Sequence, residues 1–400
     1  MTGPRTNAAV HTDAADTPEI KGWCPGGHRP MMSGDGLVVR VRPWLGAVSP
    51  EQACALADLA ARHGNGRIEI TSRANLQLRG VTEASLPALL DALTHLDLLD
   101  ADAETEARRN IVLSPFSECS RWDVPAMAAG LSAGLRSAAF AGLPSKFGFA
   151  IDPGPERHLG GVSGDIRIEA SRTALLVRAD GAAHGLPVAS ETAAVATALS
   201  MAAWFLASGG VGPDGRGRLR SHLSANALPD ALQGHTAPNR RARAARPGPM
   251  AGGTLVAAAF GQLTPDALRA LSRVAAGDLR MTPFRMIYLP ATRLDASPHP
   301  DLIIAPDDPL LRVVACTGAP GCPQGRAPVR SLARQLAPSV APTETLHVSG
   351  CRKGCAHPRR ATMTLVASES GFGLVRNGTP WDQPDRTGLS AAETRTLLET

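Results

Sequence analysis

Aromatic residues are scarce in this 400-residue chain: eight Phe, five Trp and a single Tyr, 4% in all. Nucleic-acid binders that stack bases need more aromatic surface than this. Charge of one sign is also in short supply, because 41 Lys+Arg face 36 Asp+Glu and leave +5. So small an excess suits a polyanionic small molecule at least as well as a nucleic acid, and nucleic acid is not expected as a partner. No run reaches the ~18 consecutive apolar residues of a membrane span. The nearest, residues 193–207, is rich in Ala, Thr and Ser and reads as a buried helix. The N-terminal stretch lacks the apolar core of a secretory signal, so a cytoplasmic protein without membrane attachment is expected. In that compartment the seven cysteines are not expected to form disulfides, and the odd count points to metal ligation by some of them.

What the chain does have is ordinary globular composition, 44% hydrophobic and 19% charged, over a length that suggests several domains or one domain built twice. Residues 37–42 (LVVRVR) read as a strand. Ser49-Pro50-Glu51 then supplies an N-cap, a first-turn proline and an acid, Leu56, Leu59 and Ala60 form a stripe, and Gly64 ends the helix. Residues 67–70 and 76–79 come next as strands and residues 85–96 as a second helix, most of a ferredoxin-like sandwich. The pattern recurs about 210 residues later: strand 255–261, Thr264-Pro265-Asp266 as the cap, Leu268, Leu271 and Val274 as the stripe, Gly277 as the stop, then two strands within 279–289. A duplicated half-molecule explains this, against chance similarity of two capped helices.

The expected layout is a leader (1–30), a ferredoxin-like half (31–100), an α/β domain (101–208), a linker rich in Gly, Pro and Arg (209–250), a second ferredoxin-like half (251–305) and a final α/β domain (306–400). The linker reads as solvated, or alternatively as bringing arginines 216–220 to a carboxylate-bearing ligand. The string Gly-x-Gly-x-x-Gly at 210–215 comes after a helix and contains Pro213, so it is not read as a dinucleotide site.

Four cysteines lie in the last quarter, as Cys316-x5-Cys322 in CTGAPGCPQG and Cys351-x3-Cys355 in SGCRKGCAHP. Both pairs sit in Gly/Pro-rich turns after apolar runs. Four thiolates so placed suit a [4Fe–4S] cluster. A zinc site, usually spaced by two to four residues, and unligated structural thiols are the alternatives. Cys54, in the first helix, reads as core; Cys24 and Cys119 stay undecided.

With these cysteines on the second half of a duplicated ferredoxin-like scaffold, residues 30–400 resemble the sulfite and nitrite reductase family, whose members carry a [4Fe–4S] cluster beside sirohaem. ITSRANLQLRG (70–80) is similar to the family's Thr-x-Arg-x-x-x-Gln-x-x-Gly element, ARRNIVLSP to its next basic element and LPSKFGFAID (143–152) to its Lys-Phe-Lys element. The resemblance implies an α+β fold of two halves, each a ferredoxin-like sandwich plus an α/β domain. It also implies Arg73, Arg109 and Lys146 as tetrapyrrole-side or substrate-side cations, and Cys355 as the cysteine shared with a haem iron. Where the family has a second lysine, this chain has Gly148.

RPMMSGDGL (29–37), KFGFAID and LHVSGCRKGCAHP (346–358) resemble one branch of the family, the precorrin-3B synthases. That likeness implies O2-dependent C20 hydroxylation of precorrin-3A and γ-lactone closure in aerobic cobalamin biosynthesis. It implies the cluster held by Cys316, Cys322, Cys351 and Cys355, an associated mononuclear non-haem iron and an external electron donor. Arginines clamp carboxylates well, so Arg73, Arg109 and Lys146, with Arg79 and Arg285, are expected to line a polycarboxylate pocket. His28, His158, His347, His357, Asp35 and Asp152 are the candidate iron ligands, none with a diagnostic spacing. The competing readings are a sirohaem sulfite or nitrite reductase with a ferredoxin or NAD(P)H donor, and an electron-transfer or zinc-stabilised module without catalysis.

Overall fold

The computed structural model describes residues 24–399, so most of the expected leader lies outside the described residues. Two compact units emerge, one formed by Gly22–Pro306 and one containing Asp307–Thr400.

In the first unit, the helix Pro50–His63 begins where its sequence says it must. The Ser49 hydroxyl accepts from the Gln52 amide, and the Gln52 side chain accepts from the Ser49 amide at 2.9 Å. Thr264 caps Pro265–Val274 through the Ala267 amide. That second helix stops at Val274, short of the expected Gly277, because Ala275 is already extended. The two helices pack on each other, and Leu56, Ala57, Leu268 and Leu271 are buried in one core with Ile68, Leu78 and Ile287. Cys54 is exposed rather than core. It comes directly after the buried Ala53 and is turned away from the stripe that Ala53, Leu56, Ala57 and Ala60 share.

Each half opens with a hairpin, Met31–Ser33 with Gly36–Val41 and Gly248–Met250 with Gly253–Ala258. Each then kinks through a left-handed pair, Leu45 and Gly46 in one, Phe260 and Gly261 in the other. A left-handed non-glycine residue costs about 1–2 kcal/mol. The kink recurs because in both halves it redirects the chain from its own sheet to the other. Ala47–Val48 leaves the first sheet and pairs with Leu279 and Arg280 of the second. Gln262–Leu263 pairs in turn with Ile68 and Glu69 of the first. The halves thus exchange one short strand each.

The first unit also holds a five-stranded α/β sheet ordered 186–188, 175–179, 166–170, 149–152, 111–113, its last three strands parallel. Helices Val124–Leu135 and Glu191–Ala207 cover it, the latter with Ala194, Ala198, Met201 and Phe205 buried. The second unit repeats this sheet: Val313–Ala315, Leu346–Ser349 and Ala361–Ser368 are parallel, and Gly371–Gly378 and Arg386–Leu389 continue antiparallel. Residues 209–250 are not a free linker. Leu219 is buried, Arg218 and Arg220 bind Asp165 and Asp180, and Arg241 bridges to Arg157. Arginines 218 and 220 are therefore taken up by carboxylates of the protein itself. Among the described residues no helix is long and apolar enough to cross a membrane.

Candidate functional site

Arg73 occupies the turn between strands Ile68–Ile70 and Leu76–Val81. Thr71 shapes that turn, its hydroxyl accepting from the Arg73 and Asn75 amides, with Ala74 left-handed. The guanidinium thereby reaches the Lys146 carbonyl at 3.4 Å and the Cys24 sulfur at 3.9 Å. Cys24 is brought there by a turn tied to a buried carboxylate: Glu106 accepts from the Gly27 amide at 2.7 Å and the His28 amide at 3.1 Å. Burial pushes the Cys24 thiol up, but Arg40, Arg73 and Lys146 outweigh it and hold it below the usual thiol value. A half-buried nest of three cations around one thiol is a place where negative charge is stable.

Arg109 lies alongside but is not free. It makes a bidentate pair with Asp100 (2.7 and 2.9 Å), donates to the Arg42 carbonyl and sits over the Trp44 ring. Arg42, Arg73, Arg109, Arg280, Asn75 and Ser114 line a cavity of about 120 Å³. That volume admits one carboxylate-bearing arm of a large ligand, not a macrocycle. Arg79 does not join them. It is buried in contacts with Asp35 (2.7 Å) and Glu69 (3.6 Å). Arg285 sits in the corresponding turn of the second half, packed near Gly261, and does not line the cavity. Sequence reasoning missed Arg40, Arg42 and Arg280; the alternation of Arg40, on strand Gly36–Val41, with Arg42 just past its end was the available signal.

Gly148 has a steric explanation. A Cβ there would lie 2.6 Å from the Asn110 amide nitrogen and 3.1 Å from the Asn110 carbonyl oxygen. Asn110 is buried and donates to the Phe147 carbonyl, so it cannot yield cheaply. A side chain at 148 would press on the Asn110 side chain.

In the second unit, Cys316 and Cys351 lie just past the C-terminal ends of the neighbouring parallel strands Val313–Ala315 and Leu346–Ser349. The Gly350 amide donates to the Cys316 sulfur at 3.1 Å. Glycines let the loops close: a Cβ on Gly325 would lie 2.5 Å from the Ala319 nitrogen, and one on Gly350 would lie 3.1 Å from the Gly318 Cα. Burial raises the Cys355 thiol to about 11, and Cys316, Cys351 and Cys322 push it the same way against Lys353. Burial also raises Cys351, with Cys316 and Cys322 adding to it. The four thiols thus disfavour one another's ionisation, and a positively charged metal core would relieve that.

The candidate iron ligands are dispersed. Asp35 binds Arg79, and His28 bonds the Asp100 carbonyl. His158 stands edge-on to Phe116. His347 and His357 approach each other, ring centroids 5.6 Å apart. His347 is fully buried without a hydrogen-bond partner, and burial, then His357, lowers it to about 4. Among the described residues no three His, Cys, Asp or Glu side chains gather closely enough for a single ion.

Asp152, buried on the first α/β sheet, accepts from the Leu159 amide at 2.6 Å. Burial raises it to about 6, with Glu169 adding to the effect. The native state therefore holds a proton that the unfolded state loses near pH 4, and stability falls as pH rises from about 4 to 6. Asp152→Asn is expected to flatten that segment of a pH–stability curve by roughly 2–3 kcal/mol, read from urea midpoints.

Residues 29–96 match the family of nitrite/sulfite reductase ferredoxin-like half domains. A precorrin-3B synthase from Sinorhizobium sp is 32% identical, covering 94% of this chain and 88% of its own. A ferredoxin–nitrite reductase from Synechococcus elongatus is 31% identical but covers 33% of this chain and 27% of its own. The NADPH sulfite reductase hemoprotein beta-component of Anoxybacillus flavithermus, also 31% identical, covers 20% of this chain. Mycobacterium tuberculosis NirA shares the fold, with a TM-score of 0.68 at 16% identity over 91% of this chain and 79% of that one.

Proposed function

Because the chain belongs to the precorrin-3B synthase family, within the nitrite and sulfite reductase group, we propose that it hydroxylates precorrin-3A at C20 and closes the γ-lactone from a ring acetate. It is an oxidoreductase of cobalamin biosynthesis. One oxygen atom of O2 enters the product and the other leaves as water, with two electrons from an external reductase. The observation that carries the choice over sulfite or nitrite reduction is Gly148. No cation stands at that position, so the site lacks one of the charges that a small inorganic anion would need. The likeness to nitrite and sulfite reductases also spans only parts of the chain.

In this reading Arg73 and Lys146 bind carboxylates of the macrocycle through charge-assisted hydrogen bonds. Arg109, fixed by Asp100, holds the wall of the small cavity that receives one carboxylate arm. Arg40 and Cys24, outside that cavity, lie beside Arg73 and Lys146. Cys316, Cys322, Cys351 and Cys355 are the residues for a [4Fe–4S] cluster. Their spacing, with five residues between the first two, suits a cluster better than one zinc, whose pairs are usually two to four residues apart. Such a cluster supplies electrons singly when bound. The described residues do not fit a mononuclear iron site of the two-histidine, one-carboxylate kind, and none is assigned.

The test is direct. Protein purified anaerobically is incubated with precorrin-3A, a reductant and ¹⁸O2. One labelled oxygen in the product is expected, from protein containing iron and sulfide without sirohaem absorption bands. Unlabelled product, or a stoichiometric sirohaem, overturns the reading.

A further inference from the structure

The larger cavity of the first unit is elsewhere and has no part in the proposed reaction. At about 510 Å³ it falls within the usual range of ligand pockets. Phe116 and Leu255 give it an apolar lining, with Phe116 held edge-on between His158 (4.7 Å) and Tyr288 (5.0 Å). Its rim is basic. Arg240, Arg241, Arg243 and Arg246 all border it, against one carboxylate, Glu156, which pairs with Arg240. Arg243 and Arg246 are exposed, and no ion pair holds them among the described residues. They are nonetheless carried on an anchored ribbon. The Arg157 amide donates to the Arg240 carbonyl and the Ala242 amide to the Arg157 carbonyl, both at 2.9 Å.

The position of the cavity is a second, independent observation. Phe116 and His158 lie in the loops that leave the C-terminal ends of parallel strands Ile111–Leu113 and Phe149–Asp152. In the repeated sheet of the other unit, the corresponding strands end in the loops that carry Cys316 and Cys351. The duplication has therefore kept one loop pair in two chemical versions, thiols in one and an aromatic and an imidazole in the other. The carboxyl ends of parallel strands are also where open α/β sheets place ligands.

We propose that this cavity is a second binding site, for a flat organic ring bearing several carboxylates. The ring lies against the exposed Met250, with the edges of the nearly buried Phe116 and Leu255 beneath, and carboxylates pair with Arg243 and Arg246, whose guanidinium forks match them. The site shares no residue with Arg73, Arg109, Lys146 or the cysteines, so it stands or falls separately from the proposed reaction.

Uroporphyrin III is the probe, and mellitate the control that has carboxylates without the macrocycle's area. Full-length protein is titrated by fluorescence at fixed ionic strength, and hydrogen–deuterium exchange maps the bound state. Saturable binding is expected, with protection of residues 156–160 and 240–250. Arg243→Glu/Arg246→Glu is expected to weaken the binding that gives this protection at least tenfold and to abolish the protection, while Cys54→Ser, on an exposed helix face, leaves both unchanged. Mellitate is expected to compete at least tenfold more weakly than uroporphyrin. The proposal is overturned if the unmodified chain shows no protection there, if the double variant binds as tightly, or if mellitate competes equally. The exchange map of the unmodified chain decides the matter even should the variant fold poorly.

Discussion

Cys351→Ser is expected to leave a purified protein with little iron or sulfide, no broad absorption near 400 nm and at least about 100-fold less turnover. Changing a group that merely supports a metal ligand typically costs about 10–100-fold in affinity or activity, and Cys351 is proposed as a ligand itself. Serine is nearly isosteric but is not an anion at neutral pH, so one corner of the cluster would lose its thiolate. The surrounding loops then lose the metal that would tie them together, and the Cys355 thiol, held above the usual range, stays protonated. Loss of stability confined to residues 307–400 is therefore expected as well, seen as faster hydrogen exchange there. Cys54→Ser, on an exposed helix face, is the control and changes neither iron content nor rate. Full iron content in the Cys351 variant would remove this cysteine from the ligand set.

Arg73→Ala is expected to lower kcat/KM for the tetrapyrrole by about 10–100-fold, the effect of losing a charged hydrogen bond worth roughly 1.5–3 kcal/mol. Its folding should change little, because the Arg73 guanidinium is only half-buried and holds no carboxylate of the protein. Arg79→Ala is the contrasting case. It strands Asp35 and Glu69 around an emptied buried site, and breaking such a pair costs about 3–5 kcal/mol of stability. Steady-state kinetics and urea unfolding on both variants separate the roles. Equal kinetic losses in the two at matched folded fractions would contradict the assignment of Arg73 to the pocket.

These two arginines also mark how far the residues alone could be read. They lie six positions apart in one basic motif, and nothing local separates them. What separates them is Asp35, brought to Arg79 by the pairing of Gly36–Val41 with Leu76–Val81. Capping, by contrast, is a local property, and Ser49 and Thr264 were legible for that reason. The approach of Cys316 to Cys351 was legible because each follows a short apolar strand, and the two strands pair. The exchanged strands were not, since a two-residue strand carries no alternation to detect. Cys54 was misread because one position in a helix is 100° of rotation, enough to move a thiol from stripe to solvent. The segment 209–250 looked like solvent-facing chain because its partners, Asp165, Asp180 and Arg157, are distant in sequence.

The reciprocal loan of Ala47–Val48 and Gln262–Leu263 has a consequence for the history and the handling of this chain. A single copy would leave those sheet edges unpaired, and pairing with a twin, as in a symmetric dimer, would satisfy them. In this chain the two copies differ in their chemistry, and the turn position held by Arg73 in one is held by Phe284 in the other. The same loan makes division costly: a gene cut within residues 209–250 yields two fragments, each with an edge strand missing and a helix face uncovered. Neither is expected to be monomeric alone, and only co-production of both restores the closed sheets.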